Sequence, residues 1–211
     1  MGIDDKSAIA WTGRGAALER LGRYEDALKA HRRAIELNPK LALAWTNKGA
    51  ALANMSRYDE ALQAHERAIE LEPHLALSWA NKGMVFGAQG HYGEALGAYE
   101  KAVELDPNYA LAWNGKGAAL VVLDQLEGAL EAIEEALKLD PGLGGAWYNK
   151  ACVHSQLGQK PNMLDALKRA IGFDHKLKDM AKTDPDNDFE PYRDDPEFQE
   201  LIGDEFSSSS E

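Results

Sequence analysis

The chain has 211 residues, a formal net charge of −12 and a single cysteine, Cys152. No apolar run approaches the roughly 20 residues that span a bilayer, no signal segment is present, and no basic stripe could follow a phosphate backbone. We therefore expect a cytoplasmic protein without a disulfide, with no membrane and no nucleic acid among its partners.

Residues 1–7 predict a short polar lead-in, and a strict 34-residue period begins at residue 8. The five tryptophans of the chain set its register: Trp11, Trp45, Trp79, Trp113 and Trp147. Four residues after each Trp the chain has Gly15, Gly49, Gly83, Gly117 and then Ala151. Twenty-eight residues after each Trp stand Pro39, Pro73, Pro107, Pro141 and then His175. A fixed period of this length indicates stacked supersecondary units.

Each period predicts two helices. In the second copy, the Ala- and Leu-rich run 42–55 favours the first helix. A short turn follows, which in other copies contains a glycine, and an acidic turn opens the second helix. The proline that closes each copy forbids continuation of that helix.

The period, the small residue four after Trp, the spaced alanines and the closing proline resemble the tetratricopeptide repeat (TPR) family. This resemblance covers residues 8–177 as five units, 8–41, 42–75, 76–109, 110–143 and 144–177. It implies an all-α, right-handed α-solenoid of helix-turn-helix repeats. It also implies that Gly15 and Ala27 face each other where the two helices of a repeat approach closely.

The C-terminal part of the chain breaks the period. From Asp174 onward there are 13 acidic and 4 basic residues. A helix should start at Pro196 with Asp194 or Asp195 as its cap, and Phe189, Phe198 and Ile202 supply apolar side chains. We expect residues 178–206 to form a helical cap over the open solenoid end, and residues 207–211 to be disordered.

In TPR domains the first helices line a concave groove that binds peptides, and the resemblance implies the same groove here. Its candidate residues lie two before Trp and one, two or five after it: Leu43, Leu77, Leu111, Thr12, Thr46, Asn114, Tyr148, Asn47, Asn81, Asn149 and Met84. Asn47, Asn81 and Asn149 could form an amide ladder, because an amide offers both a donor and an acceptor to a peptide backbone. Alternatively, these amides bond to water or to their own helix. The leucines could form an exposed apolar stripe or pack under the preceding proline turn.

Other residue patterns suggest weaker sites. The bases three after Trp (Arg14, Lys48, Lys82, Lys116, Lys150) could bind an acidic ligand, but such side chains more often cover apolar surface beside an acid. His31 and His65 lie in separate repeats, which favours packing over a metal site. Asp184, Asp186 and Asp188 resemble the start of a calcium loop, but Phe189 replaces its glycine.

The sequence contains no motif for catalysis or for a cofactor, so we expect no enzyme activity, no metal and no cofactor. The predicted function is a noncatalytic protein–protein interaction scaffold that holds a peptide or partner segment in its groove. Of the residues of the family's chaperone-tail clamp only Asn47 matches, and Thr12, Thr46 and Ala80 stand in place of its lysine, so Hsp70 and Hsp90 tails are disfavoured. The alternative is self-assembly into a homo-oligomer, by stacking through an uncapped N-terminal face.

Overall fold

The computed structural model describes residues 3–183 and 188–203, and in these residues the chain is entirely helical apart from its turns. The expected disordered tail 207–211 lies outside the described residues, as do Asp184 and Asp186. The helices, in chain order, are α1 Ile3–Arg20, α2 Tyr24–Leu37, α3 Ala42–Asn54, α4 Tyr58–Leu71, α5 Ala76–Ala88, α6 Tyr92–Leu105, α7 Ala110–Val122, α8 Leu126–Leu139, α9 Gly144–Gln156, α10 Lys160–Phe173, α11 Lys176–Thr183 and α12 Pro196–Ile202, with a 3-10 helix at Glu190–Tyr192.

The helices form tandem helix-turn-helix pairs, which confirms the predicted all-α solenoid class. The first helix begins at Ile3, so most of the predicted lead-in is helical. The chain divides within α7 into two compact units, unit 1 up to Gly115 and unit 2 from Lys116 onward. In unit 1, α1 packs on α2, α3 on α4 and α5 on α6, and the successive pairs stack on each other.

The tryptophans occupy equivalent positions in successive repeats. In four repeats the indole N–H donates to the carbonyl of the proline six residues earlier, at 2.9–3.0 Å. Because that proline follows the preceding second helix, the hydrogen bond joins the end of one repeat to the first helix of the next. The 34-residue spacing of the tryptophans is therefore the spacing of the hydrogen bonds that join one repeat to the next.

The glycine four residues after Trp makes room for a side chain of the second helix. A Cβ atom built on Gly49 would lie 2.4–2.7 Å from the ring atoms of His65, and one on Gly15 would lie 2.2–2.6 Å from the ring of His31. Gly117 meets Ile133 in the same way, at 2.5 Å. The predicted close approach is present, and the atoms nearest to the Cβ position of Gly15 belong to the His31 ring.

The turn between the helices of each repeat contains one residue with positive φ. These residues are Gly22 (71°), Ser56 (58°), Gly90 (78°), Asp124 (57°) and Gly158 (68°). In the first turn the Arg23 N–H donates to the Leu18 carbonyl at 2.9 Å, and the Gly22 N–H donates to the Glu19 carbonyl at 2.8 Å. This pair of bonds closes the helix end with a left-handed residue, which glycine adopts at least cost.

The C-terminal segment packs against repeat five and forms the predicted cap. Phe189, Phe198 and Ile202 are buried in one cluster with residues of α9 and α10. Asp195 is the N-cap of α12, because its carboxylate accepts from the backbone N–H of Glu197 and of Phe198. The predicted start of this helix at Pro196 is confirmed.

His65 is fully buried against Gly49, and neither of its ring nitrogens has a hydrogen-bond partner among the described residues. His31 has the same position in repeat one, but its Nε2 lies 2.7 Å from the Glu19 carboxylate. Burial, aided by the charge of Lys82, lowers the pKa of His65 to about 4. The folded protein therefore holds this imidazole neutral.

We expect Gly49→Ala to destabilise the protein by about 1–3 kcal/mol, because the new methyl group overlaps the buried His65 ring, which has no free space to move into. Thermal unfolding measures the effect. Gly87→Ala is the matched control on α5, where a new Cβ meets nothing within 4 Å. It should raise stability by about 0.5–1 kcal/mol through helix propensity alone. Equal effects of both variants would contradict the packing argument.

The buried neutral His65 should make stability depend on pH. Its folded pKa of about 4 lies below the ordinary value of 6.5, so between these values the unfolded chain binds a proton that the folded chain does not. This contribution is complete above pH 6.5 and falls by roughly 3 kcal/mol as the pH drops to 4. His65→Ile, which copies Ile133 of repeat four, should remove that part of the acid loss in urea unfolding, and His74→Gln at an exposed position should not.

Candidate functional site

The first helices of unit 1 lie side by side, because α1 packs on α3 and α3 packs on α5. We define the first-helix face as the residues of unit 1 that lie two before, two after or five after a Trp. All of these residues are uncharged: Ile9, Leu43, Leu77, Leu111, Gly13, Asn47, Asn81, Gly115, Ala16, Ala50 and Met84. The face is therefore neutral, although the chain as a whole carries a charge of −12.

The residues directly after Trp are packing residues. Thr12 is 4% exposed and Thr46 is 0% exposed. The Thr46 hydroxyl lies 2.7 Å from the Ser78 hydroxyl on α5, and it also donates to the Ala42 carbonyl at 3.1 Å. Both candidate threonines are buried, and Thr46 lies at the contact between the first helices α3 and α5.

Apolar side chains of the first-helix face are exposed. Leu43 is 42% exposed, Met84 56% and Leu111 57%, whereas Leu77 is half-buried. Ile9 in the first repeat is also exposed. Leu43 and Leu111 therefore present a large part of their side chains to solvent. Ile9, Leu43, Leu77 and Leu111 are the apolar stripe of unit 1.

Asn47 and Asn81 are half-exposed, and among the described residues neither amide makes a hydrogen bond. Asn54, on the same helix as Asn47, behaves differently, because its amide donates to the Ala50 carbonyl at 3.0 Å. The alternative that Asn47 and Asn81 bond to their own helix is therefore not supported. Their donors and acceptors remain available to an external group. Asn114 is also half-exposed, but it has an interaction partner within the protein.

The asparagine series is interrupted at Gly115 because Tyr99 occupies the space. A Cβ atom on Gly115 would lie 2.4 Å from two atoms of the Tyr99 ring, and one on Gly83 would lie 3.1 Å from it. Tyr99 thus lies between α5 and the start of α7. Burial raises its pKa to about 12, so the phenol remains protonated at neutral pH. Gly13, in contrast, has open space around its Cβ position.

In unit 2 the C-terminal segment covers part of the first helix α9. Tyr148 is 5% exposed and lies edge-on to Phe189, with ring centroids 5.7 Å apart. The Ser155 hydroxyl donates to the Asp188 carbonyl, and the Gln156 amide donates to the Asp188 carboxylate at 2.8 Å. Tyr148 is thus a packing residue under the cap, whereas Asn149 is half-exposed and has an interaction partner within the protein.

Four basic residues three after Trp lie over the indole rings: Arg14, Lys48, Lys82 and Lys150. Lys82 lies over Trp79 and pairs with Glu66 at 3.0 Å, and Lys150 pairs with Glu134 at 2.9 Å. Lys82 and Lys150 are therefore structural residues, because each ammonium group is already paired with a carboxylate of the protein.

Among the described residues no group of three or more His, Cys, Asp or Glu side chains is arranged to hold a metal ion. Of the described helices, none has both the length and the apolar character of a membrane span.

Tandem helix-turn-helix pairs with a glycine contact, a Trp–Pro joint and a neutral first-helix face define a helical interaction repeat. Sequence models of the tetratricopeptide repeat match residues 8–41, 42–75, 81–143 and 144–176. The chain belongs to the tetratricopeptide repeat family, whose members are protein-interaction scaffolds.

Solved structures with this fold include YrrB, described as a TPR protein with an unusual peptide-binding site. It is 26% identical, with a TM-score of 0.61 over 81% of this chain and 89% of YrrB. The type IV pilus biogenesis factor PilW is 19% identical, with a TM-score of 0.77 over 92% of this chain and 90% of PilW. MamA from Desulfovibrio magneticus RS-1, from residue 41 to its end, is 22% identical, with a TM-score of 0.67 over 83% of this chain and 98% of that chain. The last two show the fold alone. No curated protein matches the sequence significantly.

The contact of the cap with repeat five makes a testable prediction. Phe189→Ala should destabilise unit 2 by about 3–5 kcal/mol, because Phe189 is fully buried against Tyr148. It should also speed the reaction of buried Cys152 with a thiol reagent. Phe173→Ala is the control, because Phe173 is 56% exposed in the same unit. Unchanged Cys152 reactivity in Phe189→Ala would contradict the covering role of the segment.

Proposed function

We propose that the first-helix face of unit 1 binds an extended, uncharged peptide segment of a partner protein. In this proposal Asn47 and Asn81 hydrogen-bond to the peptide backbone, and the apolar stripe with Met84 contacts its side chains. The binding is noncatalytic, and the protein acts as an adaptor.

The observation that carries this proposal is the contact made by repeat five. There, side chains of the first helix α9 donate hydrogen bonds to a separate segment of the chain at Asp188, one of them to a main-chain carbonyl. An aromatic side chain of that segment, Phe189, packs beside these hydrogen bonds on Tyr148. This contact combines one hydrogen bond to the main chain, one to a side chain and an apolar contact, and it supports the same mode of binding for a partner's segment.

The spacing of the two asparagines in unit 1 suits an extended backbone. Asn47 and Asn81 lie in the same register on α3 and α5, which pack directly against each other. Packed helices are about 8–10 Å apart, and an extended peptide advances by about 3.3 Å per residue. The two amides would therefore meet peptide residues about three positions apart. An amide donor and acceptor can satisfy both polar groups of a peptide unit.

The electrostatics of the first-helix face favour an uncharged ligand. A charged peptide side chain would find no counter-ion in the three registers that make up the face, and its desolvation would oppose binding. Exposed apolar groups such as Leu43 and Leu111 gain from burial under a ligand. The likeness to YrrB, which is described as having a peptide-binding site, agrees with this class of ligand.

A peptide selected by display on the full-length protein tests the proposal. The double variant Asn47→Ala/Asn81→Ala should bind the selected peptide about 10–100-fold more weakly, because two to four neutral hydrogen bonds are lost. Asn54→Ala is the matched control on α3, since its amide already bonds to Ala50, and it should bind like the wild type. Gly13→Asn adds an amide in the same register where space is open, and should strengthen binding.

Equal affinity of the selected peptides for the wild type and the double variant would refute the role of the amides. The alternative function, self-assembly, makes a different prediction that the same samples test. A concentration-dependent mass in sedimentation would support stacking between copies, and a constant monomer mass would exclude it.

A further inference from the structure

Two repeats contain the same arrangement of an indole, an ammonium group and a carboxylate. Lys82 Nζ lies 5.9 Å from the Trp79 ring centroid and 3.0 Å from the Glu66 carboxylate. In unit 2, Lys150 Nζ lies 5.8 Å from the Trp147 ring centroid and 2.9 Å from the carboxylate of Glu134. In both cases the glutamate stands 16 residues before the lysine, on the second helix of the preceding repeat.

The second repeat has the same indole and ammonium group, but a positively charged residue stands in place of the glutamate. Lys48 Nζ lies 4.7 Å from the Trp45 ring centroid, and the residue 16 before it is Arg32. In the described part of the chain, no carboxylate lies within ion-pair distance of Lys48 or Arg32. Glu60, whose charge acts on Lys48, accepts two hydrogen bonds from Arg57 at 2.7 Å each. Arg32 thus stands in the register that Glu66 and Glu134 have beside their lysines, and its positive charge acts on Lys48.

The positive charge of Arg32 disfavours the ammonium form of Lys48. Lys48 is half-buried, and burial lowers its pKa, with the charge of Arg32 acting in the same direction. Like charges at close range oppose each other, and an anion between them would remove that repulsion. An arginine and a lysine together suit a carboxylate, because the guanidinium fork can bind both oxygens while the ammonium group adds a point charge.

We propose that Arg32 and Lys48, over the indole of Trp45, form a binding site for a carboxylate of an acidic peptide, an Asp or Glu side chain from a partner protein. The other repeats identify the chemistry of the occupant, since there the lysine on the indole holds a glutamate carboxylate at 2.9–3.0 Å. The partner's side chain takes the role that Glu66 has beside Lys82. This site is independent of the first-helix face and of the neutral peptide proposed for it.

The test is a titration of the full chain with a blocked hexaglutamate peptide at low ionic strength, followed by NMR of the five indole N–H groups. The Trp45 resonance should shift on titration, while those of Trp79 and Trp147 should stay in place, because their lysines are already paired. Arg32→Glu restores the acid that the other repeats have. It should abolish the Trp45 shift and raise the melting temperature by about 1–3 °C through the new pair with Lys48.

Lys40→Glu is the charge-matched control, in the turn between α2 and α3, and it should retain the shift. A Trp45 shift that persists in Arg32→Glu would overturn the proposal, as would equal shifts at all three indoles. Inorganic phosphate is titrated separately, and saturation by phosphate below the concentration needed for hexaglutamate would overturn the assignment to a carboxylate. Failure of the Asn47→Ala/Asn81→Ala experiment leaves all of these outcomes unchanged.

Discussion

The close approach of the two helices in a repeat depends on a glycine that lacks a side chain opposite a large one. Gly49 leaves room for the His65 ring, and Gly117 leaves room for Ile133. A glycine inside a helix costs about 1 kcal/mol relative to alanine, so its recurrence indicates that packing offsets this loss. The second helix therefore holds its large side chain against this glycine. The position of that side chain then limits how closely the first helix of the next repeat can approach.

This packing constraint also shapes the candidate binding face. Where the large residue is His65, the following repeat can have Asn81, with its amide half-exposed. Where it is Tyr99, the longer ring reaches the following first helix, and only Gly115 fits there. The interruption of the asparagine series at Gly115 is thus a consequence of core packing rather than of ligand choice. Packing and recognition are coupled through neighbouring registers of adjacent repeats.

Charge is distributed by position rather than uniformly. The residues of the first-helix face are neutral, while acids and bases pair on the other surfaces, for example Arg57 with Glu60 and Lys82 with Glu66. Exposed pairs of this kind contribute little to stability. Pairs such as Lys82 with Glu66 recur at a fixed spacing, so a position that lacks the acid can be recognised. Arg32, 16 residues before Lys48, is such a position. Two chemically different surfaces, one neutral and one cationic, can therefore occur in the same unit.

The sequence alone determined the repeat, its boundaries in the 34-residue register and the start of the last helix, because these depend on local signals. Trp, Gly and Pro act at fixed spacings, and Pro196 follows a capping aspartate. The tertiary structure decided which of the register residues are accessible. Thr46 and Tyr148 are buried because one meets Ser78 of the next helix and the other meets Phe189 of the cap. Such contacts join residues more than 30 positions apart, so no local pattern contains them.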